Sequence, residues 1–246
     1  MEQQEVPDNL EIHKIPQSKY IDSIRWLPTV SAFDKFITMA LHDSDSDENF
    51  VEIHSLNTSI PPFLTHQSSW ASPSRISSLK VSQSGNKPVI AASTFEGSLH
   101  FLFVNPADVA IESELALLEK GFCDGPISGI DLVENGSKCV CVGGDGRVSL
   151  VTVGDSRLEK ECVFDSQGLV SYNAAKWASP SEFATGGLGF SLQWWDQRKP
   201  SGPVSQFKGG WSSGGASGIV HSIDIHPSRK HICVVGYLLL LSGYTY

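Results

Sequence analysis

Residues 184–200, ATGGLGFSLQWWDQRKP, join a glycine-rich segment to an aromatic segment that ends in Trp195-Asp196. Such glycines occur in phosphate-binding loops, in the carboxylate-binding loop of PDZ domains, and in tight turns between strands. A dinucleotide-binding loop would open a helix, and a PDZ groove would need a helix soon afterwards. Here the following residues alternate as a strand does, so the stretch predicts strand, turn and strand.

Residues 138–153, KCVCVGGDGRVSLVTV, show the same order of apolar strand, glycine turn and alternating strand. The turn Gly144-Asp145-Gly146 contains the Asp-Gly pair that is typical of two-residue β-hairpins. Gly187 and Gly189 occupy the matching place in the later stretch. We therefore expect these glycines to lie in turns, where they supply positive φ.

The same kind of unit recurs five times along the chain. Each copy begins with apolar residues spaced by two, followed by a turn rich in Pro, Ser, Asn or Gly and then by further strands. The central residues of successive copies are 55, 51, 45 and 48 positions apart. The five segments are IDSIRWLP, ISSLKVSQSG, ISGIDLVENG, YNAAKWASP and VHSIDIHPS, with central residues Ile24, Leu79, Ile130, Ala175 and Ile223.

A repeated four-stranded unit that ends in an aromatic-Asp pair is the pattern of WD-repeat β-propellers. Trp195-Asp196 is the one literal copy of that pair. We predict an all-β WD-repeat propeller over residues 1–236, with about four complete blades and part of a fifth in an incomplete ring, and an atypical apolar tail at 237–246. The blade-like units start near residues 21, 75, 126, 169 and 219.

The composition excludes several classes of function. Lys and Arg total 18 against 27 Asp and Glu, a net charge of −9, which gives no electrostatic reason to bind nucleic acid or an anionic membrane. Five cysteines without a C-x-x-C pattern argue against a disulfide framework and a structural zinc site, and predict a reduced, intracellular protein. No apolar run approaches the roughly 18 residues that membrane insertion requires.

The sequence gives only weak evidence for a metal site or a catalytic site. Asp43, Asp45 and Asp47 resemble the start of a calcium loop, but Glu48 and His54 occupy the positions where an EF-hand requires Gly and Glu. We interpret this segment as a solvated acidic loop between strands. The eight histidines do not cluster at ligand spacing, and the nucleophile signatures of hydrolases and the P-loop are absent. The sequence therefore predicts no catalytic residue, metal or cofactor.

Three segments resemble the nucleoporin forty-three family, WD-repeat subunits of the Y-shaped outer-ring complex of the nuclear pore. They are CVGGDGRVSLV (141–151), LQWWDQRKP (192–200) and VHSIDIHPSRKHICVVG (220–236), and the acid-rich DSDSDEN after IDSIRWLP also fits the family's first blade. The resemblance covers roughly residues 10–236. It implies a closed seven-bladed propeller without catalytic activity, docked on α-solenoid nucleoporins, with a scaffold role in pore assembly and nuclear transport.

The chain departs from the family pattern after HICVVG (231–236). A WD unit would continue with a Gly-Asp turn, a strand and an aromatic-Asp pair, whereas this chain continues YLLLLSGYTY. Seven units of roughly 40–45 residues would need about 300 residues. We therefore expect a C-terminally truncated form with an open ring and low stability on its own.

A second hypothesis is a WD-repeat adaptor, such as the substrate receptor of a cullin ubiquitin ligase. Receptors of that kind carry Asp-x-Arg after the Trp-Asp pair, and Asp196 and Arg198 stand in that form. The same spacing also ends structural blades, so both interpretations stay open at this point.

Overall fold

The protein is represented by a computed structural model that describes residues 15, 17–28, 34–57, 59, 61–118, 125–188, 192–199, 202–207 and 218–239. Within these ranges the chain forms eighteen β-strands and no helix. The all-β prediction is therefore confirmed. Cys123 and Gly189 lie outside the described residues.

The first twelve strands form three antiparallel sheets in which each strand pairs with the next along the chain. Sheet 1 contains β1 (Tyr20–Trp26), β2 (Lys35–Asp43), β3 (Glu48–Leu56) and β4 (Leu64–Ser72). Sheet 2 contains β5 (Ile76–Ser84), β6 (Lys87–Thr94), β7 (Leu99–Val104) and β8 (Ile111–Leu117). Sheet 3 contains β9 (Ile127–Leu132), β10 (Lys138–Gly143), β11 (Arg147–Val153) and β12 (Leu158–Asp165).

The remaining strands form sheet 4 and a hairpin attached to it. Sheet 4 contains β13 (Ser171–Ser179), β14 (Glu182–Leu188), β15 (Leu192–Asp196) and β16 (Ser205–Phe207), and the hairpin contains β17 (Gly218–Ile225) and β18 (Cys233–Leu239). The hairpin joins β14 through the pair Leu188 and Ile219. Strand β18 continues to Leu239, three residues past the boundary placed at 236, and residues 240–246 lie outside the described ranges.

Burial explains why the second strand of each sheet is a nearly continuous apolar run. In β6 every residue after Lys87 is buried, and in β10 every residue after Lys138 is buried. Such a run is expected where a strand is covered on both faces, here by the neighbouring sheets. The fourth strands β4, β8 and β12 are mostly exposed, which places them at the outer edge.

Apolar clusters fill the space between successive sheets. Leu79 packs with Ala40 and Val51 between sheets 1 and 2, and Ile130 packs with Phe101 and Cys139 between sheets 2 and 3. The cluster between sheets 3 and 4 is aromatic, with Tyr172, Trp177, Phe183 and Trp195. Ile223 packs against sheet 4 from the hairpin. The central residues of four repeats are thus the core residues between neighbouring units.

The first strands of the five units lie side by side in the order β1, β5, β9, β13 and β17. We call these the inner strands. Residues from four of them line one shared pocket, so they border a common central space. This arrangement places equivalent residues of successive repeats next to one another.

Candidate functional site

Trp195 forms part of the packing between sheets 3 and 4. It is 2% exposed, and its indole Nε1 donates a hydrogen bond to Thr185 Oγ1 at 2.8 Å. Its ring stacks on Phe183 with the ring centres 5.8 Å apart, and it contacts Phe164 of sheet 3 at 5.4 Å. Burial on both sides leaves the signature tryptophan inaccessible to a binding partner.

A carboxylate–guanidinium pair closes the turn after β15. Arg198 donates from Nε to Asp196 Oδ1 and from Nη2 to Asp196 Oδ2, both at 2.8 Å, and its backbone N–H donates to Oδ1 at 3.0 Å. These bonds, above all those from the guanidinium, lower the pKa of the Asp196 carboxyl to about 2. Local structure alone therefore accounts for the Asp-x-Arg spacing of the adaptor motif.

The turn Gly144-Asp145-Gly146 connects β10 to β11. The N–H of Gly146 donates to Gly143 O at 3.2 Å, and Asp145 Oδ1 accepts the N–H of Arg147 at 3.1 Å. Gly146 has φ of 80°, and a Cβ there would lie 1.9 Å from Ser166 Oγ. Gly144 does not have positive φ, and its nearest neighbour would be 3.7 Å from an added Cβ. The expectation of positive φ therefore applies to one of these two glycines.

The prediction that Gly187 lies in a turn is wrong. Gly187 lies within β14 opposite Tyr172 rather than in the turn, and its φ is outside the left-handed region. A Cβ at this position would lie 1.9 Å from Ser171 O, because β13 approaches the backbone of β14 closely. Glycine is thus required here by strand packing and not by turn geometry. Gly189, the other predicted turn glycine, is outside the described residues.

A feature missed from the sequence is a row of charged residues, one on each inner strand. We call it the inner charged row: Arg25, Lys80, Asp131, Lys176 and Asp224. Each member directly follows the central apolar residue of its repeat, which packs on the preceding unit in β5, β9, β13 and β17. Because strand side chains alternate, the charged residue points toward the following unit. The repeat alignment contained this signal, since all five positions are ionisable.

Ion pairs connect four members of the inner charged row. Asp131, 5% exposed, lies 3.2 Å from Lys80 Nζ through Oδ1 and 3.9 Å from Lys176 Nζ through Oδ2. Its Oδ2 also accepts the backbone N–H of Trp177 at 2.8 Å. Lys176 Nζ then lies 3.7 Å from Asp224 Oδ1. These pairs hold β5, β9, β13 and β17 in register around the central space.

The acidic segment between β2 and β3 is a tight turn over residues 44–47. Asp43 Oδ1 accepts the N–H of Asp45 at 3.0 Å, and Ser46 Oγ donates to Glu48 Oε2 at 3.1 Å. In the part of the chain that the structure describes, no group of three or more Asp, Glu, His or Cys residues is placed to hold a metal ion. The described residues likewise form no helix with the length and apolar character that crossing a bilayer requires.

Antiparallel four-stranded sheets that pack face to face, with their first strands side by side, define a WD-repeat β-propeller protein. The fold is similar to the crystal structure of Chaetomium thermophilum Sqt1 bound to the N-terminus of the ribosomal protein L10, with a TM-score of 0.60 and 13% identity. The match covers 83% of this chain and 52% of the Sqt1 chain, so this chain spans about half the length of Sqt1. At this identity the likeness concerns the fold alone.

A sequence relative defines the family. The chain is 48% identical over 242 residues to the nuclear pore complex protein NUP43 of Arabidopsis thaliana, which covers 93% of this chain and 67% of the relative. No protein-family profile matches the chain. This chain therefore belongs to the nucleoporin 43 family, and membership places it at the nuclear pore complex of the nuclear envelope.

Proposed function

We propose that this chain is a non-enzymatic scaffold subunit of the nuclear pore complex. It binds other nucleoporins of the Y-shaped outer ring, with α-solenoid subunits as its partners, and so supports pore assembly and nucleocytoplasmic transport. The observation that carries the proposal is the 48% identity to a nuclear pore complex protein across 93% of the chain. The propeller fold adds support, because its rigid sheets present many turns and edges to partners.

The ionisable groups with shifted pKa values bind partners within the fold, which also supports a role without catalysis. Burial raises the pKa of Tyr172 to about 12, and its hydroxyl donates to Gln193 Oε1 at 2.7 Å inside sheet 4. Glu52 is bound by Lys19 and His54, both at 2.8 Å, and the pKa of its carboxyl is lowered because these hydrogen bonds and charges outweigh the effect of burial. Like Asp196, which closes a turn, these groups are taken up by contacts within the fold.

Affinity purification of the tagged chain from nuclear-envelope extract, followed by mass spectrometry, tests the proposal. We expect outer-ring nucleoporins to be recovered and the tagged chain to stain the nuclear rim. Trp195→Ala serves as the control, because loss of this buried side chain weakens the contact between sheets 3 and 4 and should replace the nucleoporins with chaperones.

Two results would contradict the proposal. Recovery of chaperones and proteasome alone by the wild-type chain would show that it does not assemble. Recovery of a cullin-ligase adaptor that is lost in Arg198→Ala would instead favour the adaptor hypothesis.

A further inference from the structure

The inner charged row follows a rule of alternation with one exception. From Lys80 onward each step joins opposite charges: Lys80 to Asp131 at 3.2 Å, Asp131 to Lys176 at 3.9 Å, and Lys176 to Asp224 at 3.7 Å. The first step instead joins two cations, Arg25 and Lys80, which border the same pocket. Lys80 and Lys176 therefore each pair with a carboxylate of the row.

Arg25 is the member of the row without an acidic partner among the described residues. Its guanidinium Nη1 donates to the carbonyl of Ile24 at 2.7 Å, a neutral acceptor on its own strand. Lys80, by contrast, shares Asp131 with Lys176. Within the described ranges, the positive charge at the β1 end of the row thus has no paired carboxylate.

Arg25 and Lys80 line the same pocket, which has a volume of about 480 Å³. This volume lies in the range of pockets that hold small ligands or a peptide side chain with its neighbours. Trp26, 63% exposed, contributes an aromatic wall next to Arg25. The pocket therefore combines two cations with an accessible apolar surface.

The balance of charge in the pocket selects a single negative group. Arg25, Lys80 and Lys176 line it together with the carboxylates Asp131 and Glu134, so its net charge is positive although the chain as a whole carries −9. The two carboxylates would repel a polyanion such as a polyphosphate or a nucleic acid. One isolated carboxylate fits the excess of one positive charge.

We propose that this pocket binds an acidic side chain of an extended peptide segment from a partner protein. The peptide carboxylate accepts hydrogen bonds from the Arg25 guanidinium and the Lys80 ammonium, as Asp131 does between Lys80 and Lys176. An apolar residue next to it in the peptide packs on the Trp26 ring. The proposal does not depend on the scaffold function, because it follows from the charges and the lining of this pocket.

Fluorescence anisotropy with the full chain and a fluorescein-labelled, C-terminally amidated Ser-Ser-Glu-Leu-Ser peptide, which contains a single Glu, tests the proposal. We expect saturable binding that weakens as salt rises, and weakening by at least about tenfold when Gln replaces Glu in the peptide, since charge-assisted hydrogen bonds are lost. Arg25→Ala should weaken binding of the Glu peptide by about tenfold, and Arg25→Lys by less.

Lys87→Ala is the matched control, because Lys87 is an exposed cation paired with Glu112 outside this pocket. It should leave the affinity unchanged, and circular dichroism should show that the Arg25 variants stay folded. Equal binding of the Glu and Gln peptides, unchanged affinity in Arg25→Ala, or no binding at millimolar peptide would overturn the proposal. Displacement of the peptide by inorganic phosphate at lower concentration than by acetate would assign the pocket to a phosphate and also overturn it.

Discussion

Strands β1 and β9 have similar sequences, YIDSIRW and ISGIDL, but they differ in burial. In β9 five of six residues are buried, whereas in β1 six of seven are exposed, including Ile24 at 45% and Trp26 at 63%. Strand β9 has β5 on one side and β13 on the other, while β1 packs against β5 and β2. The alternating sequence pattern thus determines that a strand forms, and the neighbouring units determine how much of it is buried.

The largest expected effect compares two tryptophans. Trp195→Ala should lower the free energy of unfolding by about 3–5 kcal/mol, because a side chain buried between two sheets leaves a cavity. Trp26→Ala on β1 should change it by within about 0.5 kcal/mol, because the ring is mostly exposed already. Urea denaturation followed by circular dichroism measures both. Equal losses would show that the face of β1 is covered in solution.

The next comparison uses two aspartates of the inner charged row. Asp131→Asn should cost about 3 kcal/mol, since it leaves Lys80 and Lys176 without their shared buried carboxylate. Asp224→Asn should cost about 0.5 kcal/mol or less, because that side chain is 81% exposed in its pair with Lys176. The same denaturation assay distinguishes them. A reversed order would mean that the row is not a buried network.

A third comparison separates two glycines of one turn. Gly146→Ala should destabilise the fold by about 2 kcal/mol, because alanine strains the positive φ and its Cβ meets Val170 O. Gly144→Ala should be neutral to within about 0.5 kcal/mol, because its φ is not positive and its added Cβ would make only an ordinary contact, 3.7 Å from Ser171 Oγ. Thermal melts of both variants provide the measurement. A large loss of stability in Gly144→Ala would contradict the conclusion that only Gly146 needs to be glycine in this turn.

The smallest effect concerns acid. The folded-state pKa of Asp196 is about 2, below its ordinary value of 3.8, so the carboxyl stabilises the fold above pH 3.8 and this contribution is lost as pH falls toward 2. Asp196→Asn should therefore show a shallower loss of stability between pH 4 and 2 than the wild type. Urea titrations across that range check this. Arg198→Ala should flatten the dependence in the same way, and an unchanged slope in both variants would exclude the pair as its source.

Much of the fold was accessible from the sequence because strand alternation and turn residues are local signals. The repeat identified Leu79, Ile130 and Ala175 as equivalent, and all three are core residues. The stretch IESELAL forms the strand β8, which pairs with β7 at the exposed outer edge of sheet 2. Local pattern and tertiary structure agree at these positions.

The remaining features depend on which strands become neighbours. Glycine alone does not distinguish a positive φ from a close backbone approach, and at Gly187 the close approach of Ser171 O requires the glycine. The pairing of Lys80 with Asp131 joins residues 51 positions apart, so the sequence shows both charges but not their contact. Likewise, only the fold shows that Arg198 is already bound by Asp196.

The inner charged row also gives the succession of sheets a direction. At β1 the row begins with the cation Arg25, and at β17 it ends with Asp224, whose carboxylate lies 3.7 Å from Lys176 Nζ and whose side chain is 81% exposed. The two ends of the row therefore carry opposite charges. Because opposite charges attract and like charges repel, this polarity would orient a charged partner along the row.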